Sequence, residues 1–272
     1  IFFIVAIGCA FFSGIRASEP DMRYSGDEYF DNKNMMDIQV ISTMGLSEED
    51  LSAIKAVDGI EYAEGGYSSD VLCTDGANQV VVHVMSMLPT MNQVQLEDGR
   101  LPEAEDECAL DVDYLAESNL EIGDTVTFSS GTEDDIADTL VTDTFTITGA
   151  VSSPNYISFQ RGSATIGNGS VSAFAYVPEE AFSLDVYTEI CARVEGAAEL
   201  TAFTDKYDDR VAEVLENVEA IKEERQEARY EEVVEEAETA LNDAEQEVAD
   251  AEAELEKGRA EAETELADGR AQ

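Results

Sequence analysis

The sequence predicts an α+β protein: a β-rich core with packed helices, preceded by a truncated transmembrane helix and followed by a long coiled-coil helix. Three observations predict it. The chain opens on an uncharged apolar run, Ile1 to Ile15. Its middle alternates short β-branched stretches with Gly and Asp turns, which is the pattern of strands. From Ala197 onward Ala, Glu and Leu dominate without a proline, and apolar residues then recur at intervals of three and four. The implied divisions are residues 1–17 for the membrane helix, 18–207 for the core and 208–272 for a coiled-coil arm.

Hydrophobic residues make up 44% of the 272 positions, enough for a real core. Asp and Glu number 61 against 15 Lys and Arg, a net charge of −46. That balance excludes nucleic acid as a partner, because phosphate binding needs clustered basic residues. It also opposes lying flat on an anionic bilayer. Most of the acidic surface is read as solvating. The four cysteines, Cys9, Cys73, Cys108 and Cys191, form no C-x-x-C, and His83 is the one histidine. No metal site is expected from them. Cys73, Cys108 and Cys191 fall in strands, where cysteine packs as a small apolar residue, so buried thiols are expected rather than a disulfide.

Taken in order, Ile1 to Ile15 falls short of the roughly 30 Å hydrocarbon core at about 1.5 Å per residue. It reads as the outer end of a transmembrane helix whose other half precedes Ile1. A cleaved signal peptide with its site near Ala17 is a second reading. A lipidated Cys9 is a third, opposed by Phe11 and Phe12, which continue the apolar run. Arg16 to Asn34 is a polar neck. Met36 to Ser42 is a strand with Met36, Ile38 and Val40 on one face. Ser47 caps a helix through Val57, with Glu48, Glu49 and Asp50 at its positive end and Leu51 and Ile54 facing the core. Ile60 begins a strand after Gly59. Ser68 to Leu88 is a hairpin around Asp75-Gly76, with a long strand from Val80 to Met87. His83 in that strand reads as packed or at an edge, since no motif supplies the partners that catalysis needs.

The stretch from Leu96 to Val151 is the most informative. A Gly99-Arg100-Leu101-Pro102 turn leads into a strand at Cys108 to Leu110. Asp111 opens a helix from Val112 to Asn119 with Leu115 inward. The Gly123-Asp124 turn starts a strand containing Val126 and Phe128, and a second one, Phe145 to Ile147, is closed by Gly149. In Gly99-Arg100-Leu101-Pro102, Glu107-Cys108-Ala109-Leu110-Asp111, Ile122-Gly123-Asp124-Thr125 and Phe145-Thr146-Ile147-Thr148-Gly149, in that order, the chain resembles the extracytoplasmic domain of FtsX-like ABC-transporter permeases, the MacB-type periplasmic core. Pro20-Asp21-Met22, Tyr29, Met36 and Asp37 are similar to the same family. The resemblance covers about Arg16 to Tyr207. It implies a separate cytoplasmic ABC ATPase, a second permease copy forming a dimer, a cell-membrane location with the domain outside, and a relay of nucleotide-driven movement. What is handled, whether lipid, lipoprotein, peptide or a cell-wall enzyme, stays open.

Beyond it, Ser152 to Ser172 reads as a turn or mobile loop. Gly167-Asn168-Gly169 lacks the strand, helix and lysine of a phosphate loop. Tyr156, Ile157 and Phe159 are assigned to the loop's own packing, with a small contact surface as the rival. Phe174 to Val177 is a strand, Pro178-Glu179-Glu180 opens a short helix, and Tyr187 to Val194 is the last strand, closed by Gly196. Helix follows from Ala197, loosened near Asp208 and Asp209. Val234, Ala237, Leu241, Ala244, Val248, Ala251, Leu255, Gly258 and Ala262 form a heptad seam. Glu254 to Ala260 and Glu265 to Ala271 repeat at an eleven-residue offset, a period that flattens or reverses a left-handed supercoil. Gly258 and Gly269 each cost about 1 kcal/mol against alanine. A narrow seam needs a partner: a returning arm is the simplest, a second copy its rival. The coil departs from the MacB pattern and is a candidate contact to a cell-envelope substrate or partner.

No G-x-S-x-G, H-E-x-x-H, Walker loop or G-x-G-x-x-G after a strand occurs. Asp111 and Asp113 carry little weight as an acid–base pair in so acidic a chain. Glu133-Asp134-Asp135 lacks the glycine and spacing of a calcium loop. The expectation is a non-catalytic chain without a cofactor, catalytic residue or metal site. The alternatives are a membrane-anchored adhesin-like or sensor domain on a coiled-coil stalk, and a secreted enzyme of unfamiliar type.

Overall fold

The computed structural model describes residues 2–75, 78–158 and 160–271. Gly76 of the expected hairpin turn and Phe159 lie outside the described residues. So do the side chains beyond Arg259, with seam residue Ala262 and the second copy of the repeat among them. The chain divides into two compact units, Ile1–Ile221 and Lys222–Gln272.

The first unit begins with helix α1 (Phe2–Asn32), which takes in both the apolar run and the polar neck and carries Pro20 inside. Its side chains are exposed from Phe2 to Met22. By length and composition it can cross a membrane. Strand β1 (Ile38–Leu46) follows, starting two residues later than the alternation suggests because the Met36 N–H bonds the Asn92 side chain instead. Ser47 caps α2 (Glu48–Lys55), as its sequence foretold, and Asp50 completes a reciprocal capping box that was not foreseen. Strand β2 (Ile60–Gly66) and the hairpin β3 (Ser68–Asp75) and β4 (Asn78–Ser86) come next.

The remaining strands are β5 (Gln95–Gly99), β6 (Glu107–Asp111), β7 (Thr125–Ser129), β8 (Thr144–Ser152), β9 (Val171–Val177) and β10 (Tyr187–Val194), with α3 (Val112–Glu117) after β6. They form two sheets. The larger runs β5-β8-β6-β9-β4-β3-β7, and β7 also pairs with β8. Six strands thus close into a ring, which removes sheet edges, and β5 hangs beside β8. Alternate residues point inward: Val71 and Cys73, Val82 and Val84, Cys108 and Leu110, Val126 and Phe128, Phe145 and Ile147, Ala173 and Ala175 make one core. Tyr114 and Leu115 of α3 pack against it. Outward residues Met85, Ala109, Val151, Phe174 and Tyr176 form a second layer with Met87, Val94 and Tyr156.

Two expectations about this sheet are corrected. Strand β8 continues through Gly149 to Ser152. A Cβ at Gly149 would strike the Arg100 carbonyl, so this glycine marks the close approach of β5 and not a strand end. Strand β5 itself was not foreseen, because it is exposed throughout and Leu96 is its one large apolar residue, so it has no alternation to read.

The smaller sheet is antiparallel, in the order β1-β10-β2. On one face Ile38, Leu46, Ala63, Ile190, Ala192 and Val194 pack with Leu51 and Ile54 of α2 and with Val214 and Val218. The last two belong to α4 (Asp205–Ala220). Helix does not begin at Ala197: residues 197–204 are turns, and Thr204 caps α4 by accepting from the Tyr207 N–H. Asp208 and Asp209 are helical, and the break falls at Ile221. The boundary expected at 208 therefore moves to 221. Tyr207, Val211, Val214, Val218 and Ile221 repeat at four and three, the same period as the seam, but their apolar face is spent on the small sheet.

Among the described residues no cysteine forms a disulfide, and Cys73, Cys108 and Cys191 are buried thiols. The second unit is helix α5 (Lys222–Ala271), 50 residues long.

Candidate functional site

The site is the junction where α1 meets the folded core. The helix ends through Asn34, whose φ of 50° is left-handed, a common helix stop for asparagine. Asp31 in its last turn accepts from Arg193 of β10 at 2.9 Å. The same guanidinium donates to the Met35 carbonyl and lies 3.6 Å from Asp37. Asp37 is buried. It accepts from the Val194 N–H at 2.8 Å and from the Tyr207 hydroxyl at 2.6 Å. Burial, reinforced by that hydrogen bond to a carboxylate, pushes the Tyr207 phenol up. One turn earlier Asp27 accepts from the Ala202 N–H at 2.6 Å, and Phe30 packs on Phe203 with ring centroids 5.8 Å apart. Phe203 holds a left-handed φ of 62°.

A second set of bonds ties the helix end to the segment joining β4 to β5. The N–H groups of Asn92 and Gln93 donate to the Asn34 and Lys33 carbonyls at 3.0 and 2.8 Å. The Asn34 amide donates to the Thr90 carbonyl at 2.8 Å. Glu64 of β2 grips this segment from the other side, accepting from the Thr90 and Met91 N–H groups, each at 3.1 Å. The end of α1 is therefore bonded to β10, to the turn before α4 and to the crossover that leaves the strand ring.

The described residues of the stretch from Ser153 to Arg161, which leave out Phe159, form a strap held to the sheet. Tyr156 stacks on Phe174 at 4.7 Å and 5°, which bears out packing for this residue; Ile157 beside it is exposed. Arg161 holds the strap down. Its Nε and Nη2 donate to the buried Asp111 carboxylate at 2.9 and 3.1 Å, Nη2 also to Asp113, and Nη1 to the Tyr156 and Ser158 carbonyls. Asp111 and Asp113 are thus brought together around an arginine. Burial pushes the Asp111 carboxyl up, against the pull of Arg161. His83 has a partner that the sequence did not disclose: Asp70, opposite it across β3 and β4, at 2.6 Å from Nδ1. In the acidic loop, Asp134 bonds Thr132 and Asp135 caps the turn Ile136–Asp138. Among the described residues no group of three His, Cys, Asp or Glu gathers to hold a metal.

Of the junction residues, Asp37 stood out in sequence only through the family resemblance, and Asp31, Glu64, Asn92 and Arg193 were not singled out. One signal was there: Arg193 is a lone base inside the apolar strand Ile190-Cys191-Ala192-Arg193-Val194 of a base-poor chain, and a buried arginine needs acceptors.

No family model and no curated protein matches the chain. Among solved structures it is similar to the extracellular domain of the noncanonic ABC-type transporter YknZ from Gram-positive bacteria, at 13% identity and a TM-score of 0.37, over 66% of this chain and 87% of that one. It is also similar to the periplasmic region of MacB from Actinobacillus actinomycetemcomitans, at 14% identity and a TM-score of 0.35, over 69% of this chain and 84% of that one. The similarity is one of fold and brings no activity, substrate or partner with it.

Proposed function

We propose that this chain is the extracytoplasmic part of an FtsX/MacB-like ABC-transporter permease, held in the cell membrane by α1, and that it is not an enzyme. In this reading a separate cytoplasmic ABC ATPase drives the permease, two permease copies form the dimer, and the core relays movement outward for export, lipid or lipoprotein handling, or signalling. The observation that carries the reading is the junction. An apolar helix with every side chain exposed from Phe2 to Met22 ends in a set of charged and backbone bonds to the small sheet and to the crossover between β4 and β5. A simple tether needs no such attachment; a lever does, because a displacement of the helix must reach the core without loss. Helix α5, 50 residues long, is the second element that this reading assigns to carrying motion or engaging a partner.

The test is to purify the full-length protein from cross-linked native membranes and identify what accompanies it, then repeat with Arg193→Ala. The reading expects an ABC ATPase in the complex, with ATP turnover uncoupled from the cellular output when the junction is cut. Isolation of the chain with no ATPase leaves the anchored adhesin-like or sensor domain as the better account.

A further inference from the structure

Helix α5 presents an apolar stripe that has a chemical preference. Val234, Leu241, Val248 and Leu255, seven residues apart, are 37%, 60%, 59% and 74% exposed. Ala237, Ala244 and Ala251 lie between them on the same face, so bulky and small layers alternate along one seam. The positions that flank this seam are Glu238, Glu245 and Glu252 on one side and Ala240, Glu247 and Glu254 on the other. From Glu231 to Glu256 every charged side chain is an acid.

This charge pattern discriminates among occupants. In a two-helix seam the flanking residues of one helix face those of the other. A second copy laid parallel puts Glu247 against Glu252, and laid antiparallel puts the row Glu238, Glu245, Glu252 against itself. Either arrangement opposes like charges, and the antiparallel one does so despite a good fit of bulky to small layers. We infer that the stripe from Val234 to Leu255 is the docking surface for a helix of another protein, one with an apolar heptad seam flanked by Lys and Arg. Electrostatic complementarity of this kind selects a partner and speeds its arrival. The inference stands on α5 alone, so it fails separately from the permease assignment.

The experiment uses the full-length protein in detergent micelles and two synthetic helical peptides with the same Leu and Ala seam, one with Lys at the flanking positions and one with Glu. Binding is measured by fluorescence anisotropy at low and high salt, and self-association by sedimentation. The Lys peptide is expected to bind more tightly than the Glu peptide by about tenfold or more at low salt, with the gap narrowing as salt screens it. The triple variant E238Q/E245Q/E252Q, which keeps the seam, narrows the same gap. Three results overturn the inference: equal affinity for the two peptides, self-association that disappears in L241N/L255N, or binding of neither peptide because the chain already covers its own stripe.

Discussion

Arg193 and Asp31, 162 positions apart in sequence, meet at 2.9 Å where the central strand of the small sheet receives the end of the apolar helix. The guanidinium also serves the Met35 carbonyl and stands beside the buried Asp37. Replacing Arg193 by alanine leaves Asp37 buried without its cation, which costs about 3 kcal/mol. Replacing Asp31 by asparagine, at the more exposed rim, costs about 1 kcal/mol or less. Urea midpoints of the two variants are expected to fall in that order; equal midpoints would falsify the ranking.

Arg161 is the pin of the strap from Ser153. With Arg161→Ala the buried Asp111 loses its bidentate partner, and a loss of about 3 kcal/mol is expected. Arg161→Lys recovers little, since one ammonium cannot reproduce the fork. Hydrogen exchange should show the strap amides opening in both variants while the inward residues of the ring stay protected.

Glu107 accepts from Arg100 and from the N–H groups of Glu103 and Ala104, and these bonds, Arg100 first, hold its carboxyl at about 2 against an ordinary 4.5. A depressed folded value means that the stabilisation is complete above about 4.5 and is lost as the pH falls towards about 2. Stability curves of the wild type and of Glu107→Gln should therefore differ most above pH ~4.5 and converge on acidification. Parallel curves over that range sink this account.

Gly149 admits the backbone of β5. An alanine there meets the Arg100 carbonyl and is expected to cost about 1–3 kcal/mol as overpacking. The loss should be local: the β5 amides exchange freely while the ring stays closed.

Burial pushes the Cys108 and Cys191 thiols up, and the thiolate is the reactive form. A Cys9→Ser protein is expected to take up no maleimide when native. It should take up label at Cys73, Cys108 and Cys191 once unfolded in guanidinium.

The sequence was most legible where one short-range rule decides the outcome. Strand β10 runs from Tyr187 to Val194, the bounds read from its residues, and Ser47 and Asp111 cap the helices they precede. Legibility failed where a partner distant in sequence decides. Strand β5 exists because β8 offers it an edge. Gly149 looks like a stop until β5 lies across it. His83 looks isolated until the hairpin register brings Asp70 opposite. Helix α4 shares its period with the seam of α5, so only the packing of Val214 and Val218 on the small sheet separates them. The junction was least legible of all, since Asp31 and Arg193 are ordinary, and Asp37 has no visible partner, until β1 and β10 pair.

That pairing has a mechanical consequence. Strands β1 and β10 are antiparallel, with Ile38 opposite Ala192, so the chain arriving from α1 and the chain departing to α4 leave the sheet at the same end. Tension between those two exits peels the strands apart one rung at a time, like a zipper, instead of loading all the rungs together in shear. The Asp37 carboxylate, holding both the Val194 N–H and the Tyr207 hydroxyl, sits at the first rung and acts as the clasp that sets the force at which peeling begins.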